Sequence, residues 1–261
     1  MQNVLSLYVM NNHCPIYNPV EGSSTIAIFI HGIVESPNQF LPLMNEVRGL
    51  GVAVASLLLP GHGGSGEDFA RSNKREWVEW VKNEVDRYRS IYSKIILVGH
   101  SMGGLLSILN YANCADKIEG IIAIDTPLRV RVKLQAIKNY LKIGLKLRLA
   151  EDDSAQALLQ SKGVDDCSIF TYMRWLPRMI DLYHLMRETK RKLRQVAVPI
   201  LAIQARRDEV VSLKSVKIFE QSISPEYLEV LWLNDSTHFA VSKNDTEKYY
   251  SRIKAFCSKI G

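Results

Sequence analysis

A chain of 261 residues that is 47% hydrophobic and 23% charged carries enough apolar material for a large core, which argues against disorder and for one globular unit with an insertion. A net charge of +6 and a pI near 9.1 fit a solubilising surface better than a nucleic-acid partner. No run reaches the roughly 18 apolar residues a membrane span needs, Met1 to Met10 lacks a basic start leading into a long apolar stretch, and the expected setting is cytoplasmic.

In chain order, Met1 to Gly22 leaves room only for short antiparallel edge strands, because Pro15 and Pro19 limit their length. Strand-length apolar runs then follow at Thr25–Ile30, Val52–Leu58, Ile95–Val98, Ile118–Ile124, Ile200–Gln204 and Leu228–Leu233. Their near-continuous hydrophobicity is that of strands buried on both faces. Helical patterns at Pro37–Leu50, Lys74–Tyr92, Met102–Asn113, Leu213–Ser222 and Thr246–Lys259 alternate with them, which predicts a mostly parallel sheet with helices on both sides. Residues 128–195 break the rhythm with several helical patterns and no strand, and read as an inserted helical lid; residues 1–127 and 196–261 would form the core.

The chemistry concentrates in Gly99-His100-Ser101-Met102-Gly103-Gly104, at the end of one such strand and the start of a helix. A strand that turns abruptly into a helix around G-x-S-x-G is a nucleophile elbow: the glycines avoid clashes with neighbouring backbone, and the helix start offers free N–H groups to developing negative charge. Ser101 is the candidate nucleophile and the amide of Met102 a candidate oxyanion donor. A second donor must come from another loop at the same sheet edge, and His31-Gly32-Ile33, directly after a buried strand, supplies the amide of Ile33. Gly32 is expected to adopt the backbone conformation that turns this amide, and His31 to anchor the loop by hydrogen bonds.

With nucleophile, acid and histidine in that chain order, the base must lie downstream of Ser101. His184 falls among helical lid residues; His238, in Asn234-Asp-Ser-Thr-His238 after the last strand, is the choice. Asp208, just past the strand Ile200–Gln204, best suits the acid that orients the imidazole, ahead of Asp125 and Asp235.

Other patterns have plainer readings. Gly61-His-Gly-Gly-Ser-Gly66 matches a dinucleotide-binding G-x-G-x-x-G, but Pro60 and the polar residues up to Asn73 delay the next helix; a mobile loop near the pocket is expected instead. Trp77 and Trp80 are spaced for one buried helical stripe. Asp152, Asp153, Asp165 and Asp166 lack a histidine, and Cys14, Cys114, Cys167 and Cys257 form no C-x-x-C pair, so neither a metal site nor a disulfide framework is expected. From Arg129 to Arg148 only basic charges interleave with apolar residues; such a segment covers the active site with its apolar face, or could lie on an anionic membrane surface.

The elbow, the His31-Gly32 turn, Leu59-Pro-Gly-His-Gly63, Arg206-Arg-Asp-Glu209 and Ser236-Thr-His238 together resemble the small carboxylesterase and monoacylglycerol lipase group of the α/β-hydrolase superfamily over nearly the full length. The resemblance implies an α/β-hydrolase fold with a small helical lid after the sixth core strand. It also implies Ser101 as nucleophile, Asp208 as acid, His238 as base, and Ile33 with Met102 as the oxyanion hole. The implied activity is carboxylic ester hydrolysis through an acyl-enzyme, without cofactor or metal, on a small-molecule ester. A monoacylglycerol lipase or lysophospholipase at membrane surfaces is the alternative, and a non-catalytic binding protein on the same fold the more distant one. Thr237 departs from the glycine common before the last histidine, and the basic lid matches poorly, which leaves the substrate open.

Overall fold

The computed structural model describes residues 13–131 and 161–261. Seven strands, β1 (Ile16–Asn18), β2 (Thr25–Ile30), β3 (Ala53–Leu57), β4 (Lys94–His100), β5 (Ile118–Ile124), β6 (Ile200–Ala205) and β7 (Leu228–Leu233), form one sheet in the order β1-β3-β2-β4-β5-β6-β7. All neighbours pair in parallel except β1, which adds antiparallel to β3. Between Pro15 and Pro19 this edge strand is held to three residues. The helices are α1 (Leu41–Arg48), α2 (Gly66–Arg71), α3 (Lys74–Arg89), α4 (Met102–Asn113), α5 (Ile169–Met173), α6 (Leu176–Lys192), α7 (Lys214–Ser222) and α8 (Lys243–Ile260).

Strand alternation divides the core. In β2, Ile26, Ile28 and Ile30 face one cluster with residues of α3, α4, α6 and α7, whereas Ala27 and Phe29 face a second with residues of α1 and α8. Every residue of β2, β3 and β6 is buried, as a sheet covered on both sides requires. Helix α4 is buried along its length from Met102 to Tyr111, which explains why it is hydrophobic all round rather than amphipathic.

Two expectations are corrected. The loop after β3 does not delay the next helix: Ser65 caps α2 by accepting the Asp68 amide, so a six-residue helix begins at Gly66. Trp77 and Trp80 do not share one stripe. Trp77 (0% exposed) packs in the core with Val81 and Val85, and its Nε1 donates to the Pro60 carbonyl at 3.0 Å, but Trp80 is 41% exposed. Trp77→Ala is expected to cost about 3–5 kcal/mol in urea unfolding, and Trp80→Ala under about 0.5 kcal/mol. Among the described residues the segment 128–195, expected after the sixth core strand, follows β5, and residues 1–12 lie outside them. Of the basic segment Arg129–Arg148, residues 132–148 lie outside the described residues, as do Asp152 and Asp153.

Candidate active site

Because β2, β4, β5, β6 and β7 run parallel, the residues that follow them gather at one sheet edge, where ligands of such sheets bind. Ser101 follows β4 with φ of 51°, a left-handed conformation rare outside glycine and held here by packing on both sides. Its N–H donates to the Ile124 carbonyl at 2.8 Å and its own carbonyl accepts the Gly104 amide at 3.0 Å. A Cβ at Gly103 would stand 1.9 Å from the Ile30 carbonyl oxygen, and one at Gly99 2.3 Å from the Gly103 backbone. Glycine is therefore a steric condition for α4 to start against the end of β2.

The structure brings together the three side chains singled out in the sequence. His238 Nε2 lies 3.2 Å from Ser101 Oγ, and His238 Nδ1 lies 2.9 Å from Asp208 Oδ2. All three are buried. Asp208 Oδ1 accepts the amides of Val210 and Val211, both at 2.7 Å, and Oδ2 also accepts Gln204 Nε2 at 3.2 Å. Burial opposes ionisation of this carboxyl, but His238 and the two amides outweigh it, and its pKa is lowered. His238 shows the converse: burial disfavours the imidazolium, Asp208 favours it more, and the pKa is raised above the ordinary value of 6.5.

The loop that carries His238 is fastened by Asp245, whose carboxylate accepts the amides of Asn234, Asp235 and Ser236 and the Ser236 hydroxyl. Asp235 is turned outward, paired with Arg207 at the surface, and does not meet His238. Asp125 sits closer: its Oδ1 accepts the Ala205 amide at 2.7 Å and Gln204 Nε2 at 2.8 Å. Burial and the adjacent Asp208 charge push its pKa well above the usual carboxylate range, so the protonated form is favoured at Asp125 and the ionised form at Asp208.

Gly32 follows β2 beside the elbow, where a Cβ would stand 3.0 Å from that of Ser101 and 2.4 Å from Glu35 Oε2. Its glycine is needed for space, not for an unusual conformation; the left-handed residue of this loop is Val34, with φ of 57°. Ile33 follows Gly32 in this loop and Met102 opens α4 directly after Ser101, and neither amide has a hydrogen-bond acceptor among the described residues. His31 anchors the loop: Nδ1 donates to the Gly32 carbonyl at 2.8 Å and Nε2 accepts the Leu59 amide at 3.1 Å. Burial lowers its pKa to about 4, so it is neutral.

The Gly61–Gly66 loop is tied down by backbone bonds from Gly63 to the Gly163 carbonyl and from Asp165 to the Gly64 carbonyl. His62, its pKa lowered to about 3 by burial, accepts the Val34 amide. His184 is exposed, as its helical surroundings suggested, and Asp166 pairs with Lys162. Three residues escaped the sequence reading. Glu35, three positions after Gly32, and His100, in the elbow, form a buried pair 2.8 Å apart. Asp245 also escaped, although Ser242-x-x-Asp245 is a helix-capping signature. Glu35, His100 and His238, and likewise Asp125, Asp208 and His238, have ligand-type atoms within 4.8 Å of one another. The imidazole nitrogens in both groups already serve hydrogen bonds to protein atoms, an arrangement suited to holding protons rather than a cation.

Comparison with known proteins gives the family and the fold. A thermostable monoacylglycerol lipase of Bacillus sp. (strain H-257) is 27% identical over 251 residues, 96% of each chain. Among solved structures, one of a metagenome-derived lipolytic enzyme from the LipS and LipT study shares the fold with a TM-score of 0.76 at 23% identity, over 95% of this chain and 98% of that one. The Paleococcus ferrophilus monoacylglycerol lipase does so with a TM-score of 0.71 at 17% identity, over the same shares. Residues 23–243 match the family model described as serine aminopeptidase, S33 (Hydrolase_4), and the chain belongs to that family, a serine hydrolase of the α/β-hydrolase esterase and lipase group.

Proposed function

We propose that the protein hydrolyses carboxylic esters through an acyl-enzyme on Ser101, with His238 as base and Asp208 as the acid that orients it. The observation behind this reading is the hydrogen-bonded chain from Ser101 Oγ through His238 to Asp208, at 3.2 and 2.9 Å. Ser101 Oγ attacks the ester carbonyl while His238 Nε2 takes its proton; the oxyanion is held by the amides of Ile33 and Met102. His238 then returns the proton to the leaving alcohol. Water, deprotonated by the same imidazole, attacks the acyl carbonyl and frees both the acid and Ser101.

The acyl group is read as apolar and of short to medium length. Helices α5 and α6 lie in the segment 128–195 taken as a lid, and expose Ile169, Phe170, Met173, Leu176 and Ile180, an apolar face suited to lipid-like esters. The same face, with the monoacylglycerol lipase relative, favours monoacylglycerols as a second reading. No helix among the described residues is long and apolar enough to cross a membrane.

A panel of p-nitrophenyl esters from acetate to palmitate, monoacylglycerols, and an aminoacyl nitroanilide as the amide arm tests the reading. The expected result is highest kcat/KM on medium acyl chains or monoacylglycerols and none on the amide. Preference for acetate alone, or for the amide, contradicts it.

Only neutral imidazole can act as base, and the pKa of His238 is raised above the ordinary 6.5. The rate is therefore expected to be full above that raised value and to fall as pH drops through it, read as kcat/KM against pH. A profile flat from about pH 5.5 to 8 would remove His238 from the role.

A further inference from the structure

Beside His238 lies another buried imidazole, that of His100, which the hydrolytic chemistry does not use. His100 Nδ1 lies 2.8 Å from Glu35 Oε2, and its Nε2 lies 2.9 Å from the backbone carbonyl of His238. A carbonyl oxygen can only accept. Glu35 Oε2 already accepts the Gly32 amide at 2.6 Å and the Gln39 side-chain amide at 2.9 Å, as an ionised carboxylate does. Both ring nitrogens of His100 therefore face acceptors, and only an imidazolium, with a proton on each, satisfies both. Both residues are buried, so the charges must compensate each other.

We propose that Glu35 and His100 form a permanently ionised positioning pair, one that ties the Gly32 loop to the backbone of His238 and keeps a second positive charge beside the His238 ring. The ring centroids of His100 and His238 are 4.9 Å apart. A cation at that distance opposes protonation of His238 and preserves its neutral, proton-accepting form at lower pH than Asp208 alone would allow. The other titratable groups facing these rings fit the division of charge. From the β2 side come Glu35 and the neutral His31; after β5 stands Asp125, whose burial favours its protonated form; after β6 stand Asp208, whose ionised form is favoured, and Glu209, whose burial favours its neutral form. Glu209 Oε2 accepts the His238 amide at 3.2 Å, so the backbone of His238 is gripped at its N–H by Glu209 and at its carbonyl by His100. The pairing also links both loops beside Ser101: Glu35 holds the amide of Gly32, next to the proposed oxyanion donor Ile33.

The proposal rests on His238 being the base, and the test separates the two. The kcat/KM profiles of wild type, Ser101→Ala, His100→Gln and the double variant Glu35→Gln with His100→Gln are compared between about pH 6 and 8.5. In His100→Gln, loss of the cation eases protonation of His238, so the ratio of the rate at about pH 8.5 to that at about pH 6 rises threefold or more. The double variant, which leaves no unpaired charge to hinder folding, shifts the ratio less, since the Glu35 carboxylate, whose oxygen also lies within 4.8 Å of a His238 ring nitrogen, is lost with the cation. An acid limb unmoved in His100→Gln overturns the proposal. Activity retained in Ser101→Ala overturns the functional reading itself. Ring-nitrogen NMR on the wild-type protein gives an independent readout: one imidazole should keep both protons across about pH 5 to 9, and its signal should vanish in the double variant. A spectrum in which no imidazole keeps both protons across that range would refute the pair.

Discussion

Ser101→Ala is expected to lower kcat by about five to six orders of magnitude on the best ester of the panel, with KM changed little and the fold intact. The size follows from what is removed and what stays. Oγ is the atom to which the acyl group would bond, and without it His238 has no proton to take; water must then attack directly, a harder single step. The amides of Ile33 and Met102 and the apolar surroundings remain, so residual catalysis of about 10³–10⁴ over water should persist. His238→Ala should fall almost as far, and the double variant no further, since the two act as one unit. A loss below about tenfold in Ser101→Ala would mean that another group attacks the ester.

Asp208→Asn is expected to lower kcat by about four orders of magnitude, with KM and melting temperature changed far less. Asparagine fits the same space, but its amide would donate toward His238 Nδ1, which favours the wrong tautomer and leaves the imidazolium uncompensated. Asp125 is the informative control, because it is a second buried carboxyl in the same cluster. Burial and the Asp208 charge favour its protonated form and its Oδ1 is committed to Ala205 and Gln204, so Asp125→Asn should cost less than about tenfold in kcat. Steady-state kinetics on the two variants at about pH 8 decides the assignment: equal losses, or the larger loss at Asp125, would transfer the acid role to Asp125.

Where local pattern and burial say the same thing, the fold was legible in the sequence. Strands β2, β5 and β7 and helix α4 begin and end where hydrophobic runs and their flanking residues put them, because both faces of this sheet are covered and its central strands need no polar alternation. The candidate site was legible for a related reason: G-x-S-x-G fixes one position sterically, and parallel strands bring the ends of β6 and β7 to the same edge. What stayed hidden depends on contacts between distant segments. Glu35 and His100 are 65 positions apart and look like ordinary loop polar residues until β2 and β4 pair. Trp80 carried a core-like residue type onto a face where it is 41% exposed. Helix α2 was masked by the glycines around it, although Ser65-x-x-Asp68 carried the cap.

The acyl-enzyme itself can be weighed. After brief treatment with a fluorophosphonate, intact-mass and peptide analysis should find one adduct, on the peptide bearing Ser101, formed in step with loss of esterase activity and absent from Ser101→Ala. An adduct on any other residue, or full activity after stoichiometric labelling of Ser101, would contradict an acyl transfer through this serine.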